Sequence, residues 1–296
     1  MNKELIVIQG PTAIGKTDIA IKIANRYNSE IISADSRQFY KELKIGTCPP
    51  SKSQLLEIKH HFIHHISIKE DYNIYNFEKD AIHKISDLFK THNKIIMVGG
   101  SGLYIDSVCN GVDKIDDVPK ELRKKIIHKY NNHGIRYLQK EIKLKDPKLY
   151  KEIDLKNPQR LIRALEVINY TRTPFSSFRK NKKKKRNFNI KRINLSIPRE
   201  RLYRRINDRV DIMIKNGLLD EVNELISYKK KNALQTIGYK ELFNVIKGED
   251  QIEEAIEKIK RNTRRFAKRQ MTWFRKTNPL ITADPEKISE IIKVIE

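Results

Sequence analysis

The segment Gly10-Pro11-Thr12-Ala13-Ile14-Gly15-Lys16-Thr17 decides the fold of this chain. It fits the pattern G-x-x-x-x-G-K-[ST], whose backbone N–H groups cradle phosphates at the start of a helix. The apolar run 5–8 before it predicts a buried strand, and the amphipathic run 17–24 after it predicts a helix. We therefore expect the segment to hold a di- or triphosphate. Lys16 would add a point charge, and Thr17 would offer its hydroxyl to Mg²⁺.

Strand and helix patterns alternate along much of the chain. Helical patterns such as 76–90 separate the strand signals, which fall at 4–9, 30–34, 61–66, 94–99 and 190–197. This alternation is typical of a parallel sheet with helices on both faces. With the phosphate loop after the first strand, it predicts an α/β fold of the P-loop NTPase-like kind.

The middle and the end of the chain have a different character. Strand signals vanish between about 113 and 187, where 120–145 and 158–170 show helical patterns. We therefore predict an α-helical insertion domain at 113–187 in a core formed by 1–112 and 188–296. Pro198 marks the start of a further helix, and the chain after it is almost entirely helical in pattern.

The charge of the chain favours a polyanionic partner. There are 61 Lys and Arg residues against 37 Asp and Glu, a net charge of +24. Abundant Lys, Ile and Asn could equally reflect an AT-rich coding sequence, so the placement of the charge must decide. The basic run 180–186 is open to two interpretations, a solvated loop or a contact with a phosphate backbone.

The cysteine count and the length of the apolar runs indicate the cellular compartment of the protein. Cys48 and Cys109 are the two cysteines, which is too few for a disulfide framework or a Cys-x-x-Cys zinc ribbon and fits a reducing, cytosolic setting. The N-terminus begins on a strand pattern, without the features of a signal peptide. No apolar run approaches the ~20 residues that cross a bilayer. We expect a cytoplasmic protein without membrane contact.

Asp35 follows the second predicted strand, at the carboxyl edge where parallel sheets bind ligands. Such a carboxylate beside a P-loop could hold the Mg²⁺ shell, accept a proton from a nucleophile, or simply cap a turn. The fourth predicted strand ends in Gly99-Gly100-Ser101-Gly102, without the carboxylate that an NTPase often keeps there. Its glycines allow close backbone approach, or form a plain turn, and Ser101 offers a hydroxyl.

Two basic surfaces follow on predicted helices. Arg201, Arg205 and Arg209 recur at i, i+4 and i+8, which suits a diphosphate or RNA phosphate, or a solvated face. Segment 264–275 interleaves cations with aromatic residues, which suits folded RNA or an unstacked base, or a core helix with a basic outer face. The histidines of 60–65 favour packing over metal binding, because strand alternation splits neighbours between opposite faces.

Taken in order, these segments resemble the tRNA dimethylallyltransferases, also called tRNA isopentenyl transferases. The resemblance covers nearly the whole chain, through 10–17, 35–40, 46–50, 60–61, 99–104, 157–166, 199–209, 237–240 and 267–275. The P-loop alone is generic, whereas segments 159–163 and 268–275 are specific to the family. The chain lacks the zinc finger of some eukaryotic members, so it is similar to the bacterial type.

The resemblance implies a reaction and a catalytic set. The family transfers a dimethylallyl group from dimethylallyl diphosphate to N6 of the adenosine on the 3′ side of the tRNA anticodon. By position, Asp35 would be the general base and Ser101 would lie near the leaving oxygen. Lys16 and Arg205 complete the implied catalytic set, while Gly10–Thr17 and Arg209 would bind the diphosphate with Mg²⁺. Asp35 and Lys16 should then line one pocket.

The resemblance also implies a tRNA-binding set that docks the anticodon stem-loop, and we expect a monomer. Departures from the family pattern are Ser101 in place of Thr, His64 in place of an acidic residue, and Cys48 at an Ala-like position. The residues implied to face the tRNA are Asp35, Ser36, Arg37, Gln38, Arg123, Gln159, Arg160, Leu161, Ile162, Arg163, Gln235, Thr236, Ile237, Gly238, Tyr239, Lys240, Lys268, Arg269, Gln270, Met271, Thr272, Trp273, Phe274 and Arg275.

Three rival functions use parts of the same pattern. A P-loop kinase would use the cradle and Asp35 but leaves the interleaved C-terminal helix without a role. A prenyltransferase acting on free adenine nucleotide would share the N-terminal motifs but not need the long basic C-terminal part. A non-catalytic RNA-binding protein would leave Lys16, Thr17 and Asp35 without a role.

Overall fold

A computed structural model describes residues 3–113, 115, 118–179, 183–277 and 281–296. The chain divides into two compact units. The sheet unit comprises Met1–Asn110 and Lys185–Glu296, and the helical unit comprises Gly111–Lys184. The boundaries expected from the sequence, after 112 and before 188, lie within a few residues of these.

A parallel sheet forms the centre of the sheet unit. Within the described residues its strands are β1 (Glu4–Gln9), β2 (Ile31–Ser33), β3 (His60–His61), β4 (Lys94–Gly99), β5 (Asn189–Leu195) and β6 (Ile281–Ala283). They lie in the order β3-β2-β4-β1-β5-β6, and every pair is parallel. Gln9 at the end of β1 pairs with Gly99 at the end of β4, so the loops after these two strands are neighbours.

Helices cover both faces of the sheet, as the continuous apolar runs of β1 and β4 predict. Leu5 and Val7 of β1 pack into one core cluster, and Ile6 and Ile8 pack into the cluster on the opposite face. This split follows from the alternation of side chains along a strand. Among the described residues the helices are α1 (Lys16–Arg26), α2 (Lys52–Glu57), α3 (Ile74–Leu88), α4 (Gly102–Asn110), α5 (Lys120–Lys145), α6 (Pro147–Glu152), α7 (Pro158–Thr171), α8 (Phe175–Phe178), α9 (Arg199–Lys215), α10 (Leu218–Glu224), α11 (Tyr239–Ile246), α12 (Ile252–Phe274) and α13 (Ile288–Ile295). Of these, α5 to α8 belong to the helical unit and the others to the sheet unit.

Two strand predictions are corrected. The signal at 61–66 is shorter than expected, because Phe62 and His64 adopt positive φ angles of 65° and 48° and end β3 at His61. Beyond β3, Ile66 forms an isolated parallel bridge with Tyr40, outside the named strands. Strand β6 was not predicted, because three residues are too short to show a strand pattern.

The helical unit has its own core. Leu138 and Ile142 of α5 pack with Leu161 and Leu165 of α7, and all four are buried. The segment 120–145 is not one continuous helix, because Gly134 has a φ of 69° and interrupts α5. The unit therefore consists of short helices around an apolar centre, as the loss of strand signals predicts.

The basic run 180–186 is corrected in part. Residues 180–182 lie outside the described residues. Arg186 is neither a solvated cation nor available for a phosphate, because its side chain is 11% exposed and forms an ion pair of 2.8 Å with Glu78. It also donates hydrogen bonds to the carbonyl oxygens of Val108 and Ser107 at the end of α4. This arginine anchors the chain where it re-enters the sheet unit.

In the part of the chain that the structure describes, no helix combines the length and the apolar character needed to span a membrane.

Candidate active site

The P-loop adopts the geometry that its sequence predicts. Gly15 is left-handed, with φ 97° and ψ 25°, and α1 begins at the next residue. A side chain is strained at such angles, so glycine fits this turn. The Lys16 ammonium donates a hydrogen bond of 2.8 Å to the Pro11 carbonyl oxygen and so lies across its own loop. Desolvation in the cradle lowers the pKa of Lys16 to about 8, against the opposing pull of the Asp35 carboxylate.

Two cavities adjoin at the carboxyl edge of the sheet. The P-loop cavity, of about 430 Å³, is lined by Thr12–Thr17 together with Asp35 and Arg209. The larger cavity, of about 600 Å³, lies beside it and is lined by side chains from α4, α9, α12 and the chain around Gln235. Residues that line both cavities are Thr12, Asp35, Thr47, Cys48, Arg209, Met213, Phe266 and Gln270.

Asp35 occupies the boundary between these cavities. It follows β2, and its Oδ1 accepts a hydrogen bond of 3.0 Å from the Arg37 N–H. Asp35 and Lys16 both line the P-loop cavity, so the structure brings together the two residues that the sequence expects in one pocket. A group held in the larger cavity and a group held in the P-loop cavity can therefore meet beside the same carboxylate.

Arg209 and Arg205 have different surroundings, although both lie on α9. Arg209 lines both cavities, and its Nη1 donates to the Thr12 hydroxyl at 3.3 Å. Arg205 lines neither cavity; it donates to the Ile14 carbonyl oxygen at 3.3 Å and pairs with Glu286 at 3.2 Å. Arg201 also pairs with Glu286. Arg205 therefore contacts the P-loop backbone and Glu286 in this structure, and its catalytic role stays a prediction.

Ser101 lies in the larger cavity rather than in the P-loop cavity. Its hydroxyl accepts from the Ser36 N–H at 3.0 Å and contacts the Ser36 hydroxyl at 3.1 Å. The hydroxyl thereby connects the loop after β4 to the loop after β2. In this position Ser101 orients the segment that carries Asp35.

Part of the tRNA-facing set predicted from the sequence surrounds the larger cavity. Lining members are Asp35, Ser36, Arg37, Gln235, Thr236, Ile237, Lys240, Arg269, Gln270 and Trp273. Arg265, Lys268, Arg269, Thr272, Trp273 and Lys276 line a further surface pocket on the outer side of α12. The indole N–H of Trp273 donates to Asp106 at 2.8 Å, and Asp106 pairs with Arg192 at 2.8 Å.

Other members of that set are corrected, because their side chains are in the core. Leu161, Ile162, Tyr239 and Phe274 are each at most 1% exposed, so their side chains offer no surface to a nucleic acid. These residues hold α7, α11 and α12 in place. Gln38 donates both its hydrogen bonds inside the sheet unit, to the Thr47 and Cys48 carbonyl oxygens at 3.2 and 2.9 Å.

Within the helical unit, Arg123 lies near residues of the predicted segment 159–163. Arg123 pairs with the buried Glu166 at 2.7 Å and donates to Gln159 at 3.0 Å. Arg163 pairs with the same carboxylate at 3.3 Å. Both arginine side chains are 43% exposed, so each retains a solvent-facing edge beside its ion pair.

Residues 44–48 contribute to the site in a way that their composition does not reveal. The buried Glu221 accepts hydrogen bonds of 2.7 to 3.0 Å from the N–H groups of Lys44, Ile45 and Gly46. The Tyr239 hydroxyl donates to the same carboxylate at 2.6 Å. This anchor positions Thr47 and Cys48 on the wall shared by the cavities. Glu221 comes 175 residues after Gly46 in the sequence, so no local sequence pattern could reveal the contact.

The histidines of 60–65 pack rather than ligate. His61 contacts Glu30 at 2.5 Å, and the His65 ring packs against Phe39, Phe62 and Tyr72. Burial lowers the pKa of His60, His61, His64 and His65. Among the described residues no group of three or more His, Cys, Asp or Glu is arranged to hold a metal ion.

The oxygen donors beside the P-loop suit a magnesium ion held mainly by substrate phosphates. Thr17, Asp35 and Ser33 line the P-loop cavity together. Mg²⁺ prefers oxygen ligands and commonly takes one or two from protein and the rest from phosphates and water. The residues present therefore fit the ion expected from the sequence.

The sheet and the two cavities define a protein of the P-loop class that holds a phosphorylated compound beside a second substrate. The family model described as IPP transferase matches residues 38–277, and the chain belongs to this family. The family resemblance predicted from the sequence is confirmed.

Curated relatives match along almost the full chain. A tRNA dimethylallyltransferase of Christiangramia forsetii is 53% identical over 93% of this chain and 91% of its own length. The tRNA dimethylallyltransferase 1 of Bacteroides thetaiotaomicron is 42% identical over 98% of this chain and 94% of its own.

Solved structures match as well. The tRNA isopentenylpyrophosphate transferase of Bacillus halodurans superposes with a TM-score of 0.73 at 34% identity, covering 99% of this chain and 96% of the other. A eukaryotic dimethylallyltransferase acting on tRNA gives a TM-score of 0.81 at 27% identity, covering 98% of this chain and 75% of the other. The predicted P-loop NTPase-like fold is confirmed.

Proposed function

We propose that this protein transfers a dimethylallyl group from dimethylallyl diphosphate to N6 of the adenosine on the 3′ side of the tRNA anticodon, releasing diphosphate. One observation carries the proposal: Asp35 lines both the P-loop cavity and the larger cavity. The P-loop cavity would take the diphosphate end of the donor, and the larger cavity would take the adenine. The allyl carbon and N6 would then meet at Asp35.

The donor side stabilises a leaving group. When the allylic C–O bond breaks, its electron pair leaves with the diphosphate, and catalysis requires cations and N–H donors at that oxygen. Lys16 and Arg209 supply positive charge there, and the start of α1 supplies backbone donors. Thr17 would hold Mg²⁺ with the phosphates, and a bound Mg²⁺ supplies further neutralisation of the leaving charge.

The acceptor side removes a proton. As the C–N bond forms, N6 becomes positively charged and its proton becomes acidic. Asp35 would accept that proton, a contribution typically worth about 10²–10⁴-fold in rate. The adenosine lies in a loop, so turning it out of the stack costs only a few kcal/mol.

The tRNA partner would dock through its anticodon stem-loop. Cations of α12 that border the larger cavity and the neighbouring surface pocket, such as Arg269 and Lys268, suit the phosphate backbone. Trp273 offers an aromatic face for an unstacked base. We further propose that the protein acts as a cytoplasmic monomer with dimethylallyl diphosphate as its donor.

The test is nucleoside mass analysis of tRNA incubated with the protein, dimethylallyl diphosphate and Mg²⁺. The expected product is adenosine enlarged by one dimethylallyl group at the position after the anticodon. Parallel reactions replace tRNA with AMP, and a coupled assay follows ATP consumption. Modified AMP without modified tRNA would favour action on free nucleotide, and ATP turnover without prenyl transfer would favour a kinase.

A further inference from the structure

Gln270 bridges two loops that lie above neighbouring strands. Its side-chain carbonyl oxygen accepts a hydrogen bond of 2.9 Å from the Thr12 N–H in the P-loop. Its side-chain amide donates one of 2.8 Å to the Gly100 carbonyl oxygen in the loop after β4. The residue is 7% exposed, so its side chain is largely buried.

The loop after β4 approaches the Gln270 side chain closely at Gly100. A Cβ built on Gly100 would lie 2.6 Å from the Gln270 amide nitrogen, closer than carbon atoms approach in real structures. Glycine at position 100 therefore permits the contact. Gln270 lines both cavities, so the bridge stands at their boundary together with Asp35.

Through this bridge, Gln270 also engages a backbone donor of the P-loop, the N–H of Thr12. Thr12 is held by Gln270 through its N–H and by Arg209 through its hydroxyl. Both partners come from helices, α12 and α9, and not from the loop itself. The upstream half of the phosphate cradle is therefore placed by residues far away in the sequence.

We propose that Gln270 is a positioning residue that holds the phosphate cradle in register with the acceptor cavity. It contacts loop backbone and not the reacting atoms. By fixing Thr12 relative to Gly100, it sets the distance between the diphosphate in the P-loop cavity and the nucleophile in the larger cavity. The expected effect on the rate of prenyl transfer rests on the proposed function, whereas the expected effect on pyrophosphate binding rests on the P-loop alone.

The main test is Gln270→Met, which preserves side-chain length and removes both hydrogen bonds. The rate of prenyl transfer at saturating donor and tRNA should fall by about 10²-fold, the effect of a displacement of about 1 Å between reacting groups. The dissociation constant for inorganic pyrophosphate should rise by about tenfold, because the cradle is no longer held. The dissociation constant for an anticodon stem-loop RNA should stay within about twofold. Gln251→Met, at the exposed start of the same helix, is the matched control and should behave as the unsubstituted protein.

Gln270→Glu should make the rate of prenyl transfer depend on pH in a way that a merely structural role of Gln270 would not. An ionised carboxylate can accept from the Thr12 N–H but cannot donate to the Gly100 carbonyl oxygen. A protonated carboxyl can do both. The ratio of the variant's rate to the unsubstituted rate should therefore rise as the pH falls from about 8 to about 5, since burial raises a carboxyl pKa. Lys16, Asp35 and Arg209 line the same cavity in both proteins, so the ratio compares the two side chains at position 270 beside the same charged neighbours.

The outcomes separate the inference from the proposed function. A saturating rate within about threefold of the unsubstituted protein in Gln270→Met, or an unchanged pyrophosphate constant, would overturn the inference. If the unsubstituted protein transfers no prenyl group, the proposed function fails, and the pyrophosphate constant alone decides the role of Gln270. If Gln270→Met does not fold, the pH ratio of Gln270→Glu decides, and a flat ratio contradicts the inference.

Discussion

Asp35 and Lys16 belong to different elements, yet they face one cavity. The carboxylate follows β2, and the ammonium begins α1, so parallel strand order brings both to the carboxyl edge of the sheet. Their charges are opposite, and in the proposed reaction Lys16 would receive the leaving diphosphate and Asp35 would receive a proton.

Asp35→Asn should remove the base while preserving shape. We expect the single-turnover rate of prenyl transfer to fall by about 10²–10⁴-fold, because an amide cannot accept the N6 proton. The dissociation constants for stem-loop RNA and pyrophosphate should change far less. Asp208→Asn, at an exposed position on α9, is the control. Equal losses in rate and RNA affinity would indicate that Asp35 binds the acceptor and does not act as a base.

Lys16 should make donor binding sensitive to pH. Its pKa is lowered to about 8 in the free protein, and a bound diphosphate raises it again. Below that pH the lysine is already charged, so binding needs no proton. Above it, binding must take up a proton, and pyrophosphate affinity should weaken as the pH rises through about 8, by up to about tenfold per unit. Calorimetry across this range measures the effect.

Lys16→Met separates the lysine from the titration of pyrophosphate itself. The variant should bind more weakly at neutral pH, and any pH dependence that it retains belongs to the ligand. If the variant and the unsubstituted protein show the same affinity and the same profile, Lys16 is not a donor ligand.

At the scale of elements, one face of α9 contacts different partners along its length. Arg201 and Arg205 pair with Glu286, whereas Arg209, one turn further on, lines both cavities. Helical spacing places the three on one stripe, and the position of residue 286 decides which of them remains for the substrate.

Arg209→Met should therefore weaken pyrophosphate binding by about 10- to 100-fold, the loss of one charge-assisted hydrogen bond. Arg205→Met should have a smaller effect, transmitted through the Ile14 carbonyl oxygen that it holds. Arg201→Met, matched in chemistry and helix, should leave affinity unchanged. Titration of pyrophosphate into each variant compares them, and an Arg205 effect equal to that of Arg209 would contradict the assignment.

The outer side of α12 offers a spectroscopic test, because Trp273 is the single tryptophan of the chain. Its ring is 37% exposed and lines the larger cavity. Stacking of a base on this ring should quench its fluorescence when stem-loop RNA is added. Unchanged emission, under conditions where RNA binding is measured independently, would show that the indole does not stack on a base.

At the scale of the whole molecule, the net charge of +24 acts on association. Phosphate contacts release counterions, so affinity for stem-loop RNA should fall steeply with salt. Six to ten such contacts would cost about 10³–10⁵-fold between about 50 and 200 mM. Fluorescence anisotropy with labelled RNA measures the slope. A flat affinity over this range would argue against the basic surface as the docking face.

Sequence patterns alone predict the P-loop, strands β1 and β4, the alternation that makes the sheet parallel, and the family. These features are local: a turn that needs Gly15, apolar runs that bury on both faces, and a carboxylate directly after a strand. Interactions between adjacent residues encode them, so a pattern reveals them.

Which polar side chains face a cavity and which face the core depends on contacts that form only in the folded protein. In the sequence, Gln270 and Arg186 are members of basic segments, and the spacing predicts the same surroundings for Arg205 as for Arg209. The structure binds Gln270 to the P-loop, Arg186 to Glu78 and Arg205 to Glu286. Each partner lies 81 or more residues away, as the pair Arg205 and Glu286 shows. A charged or amide side chain binds whatever partner the fold brings within about 3 Å, and its own sequence neighbours carry no record of that partner.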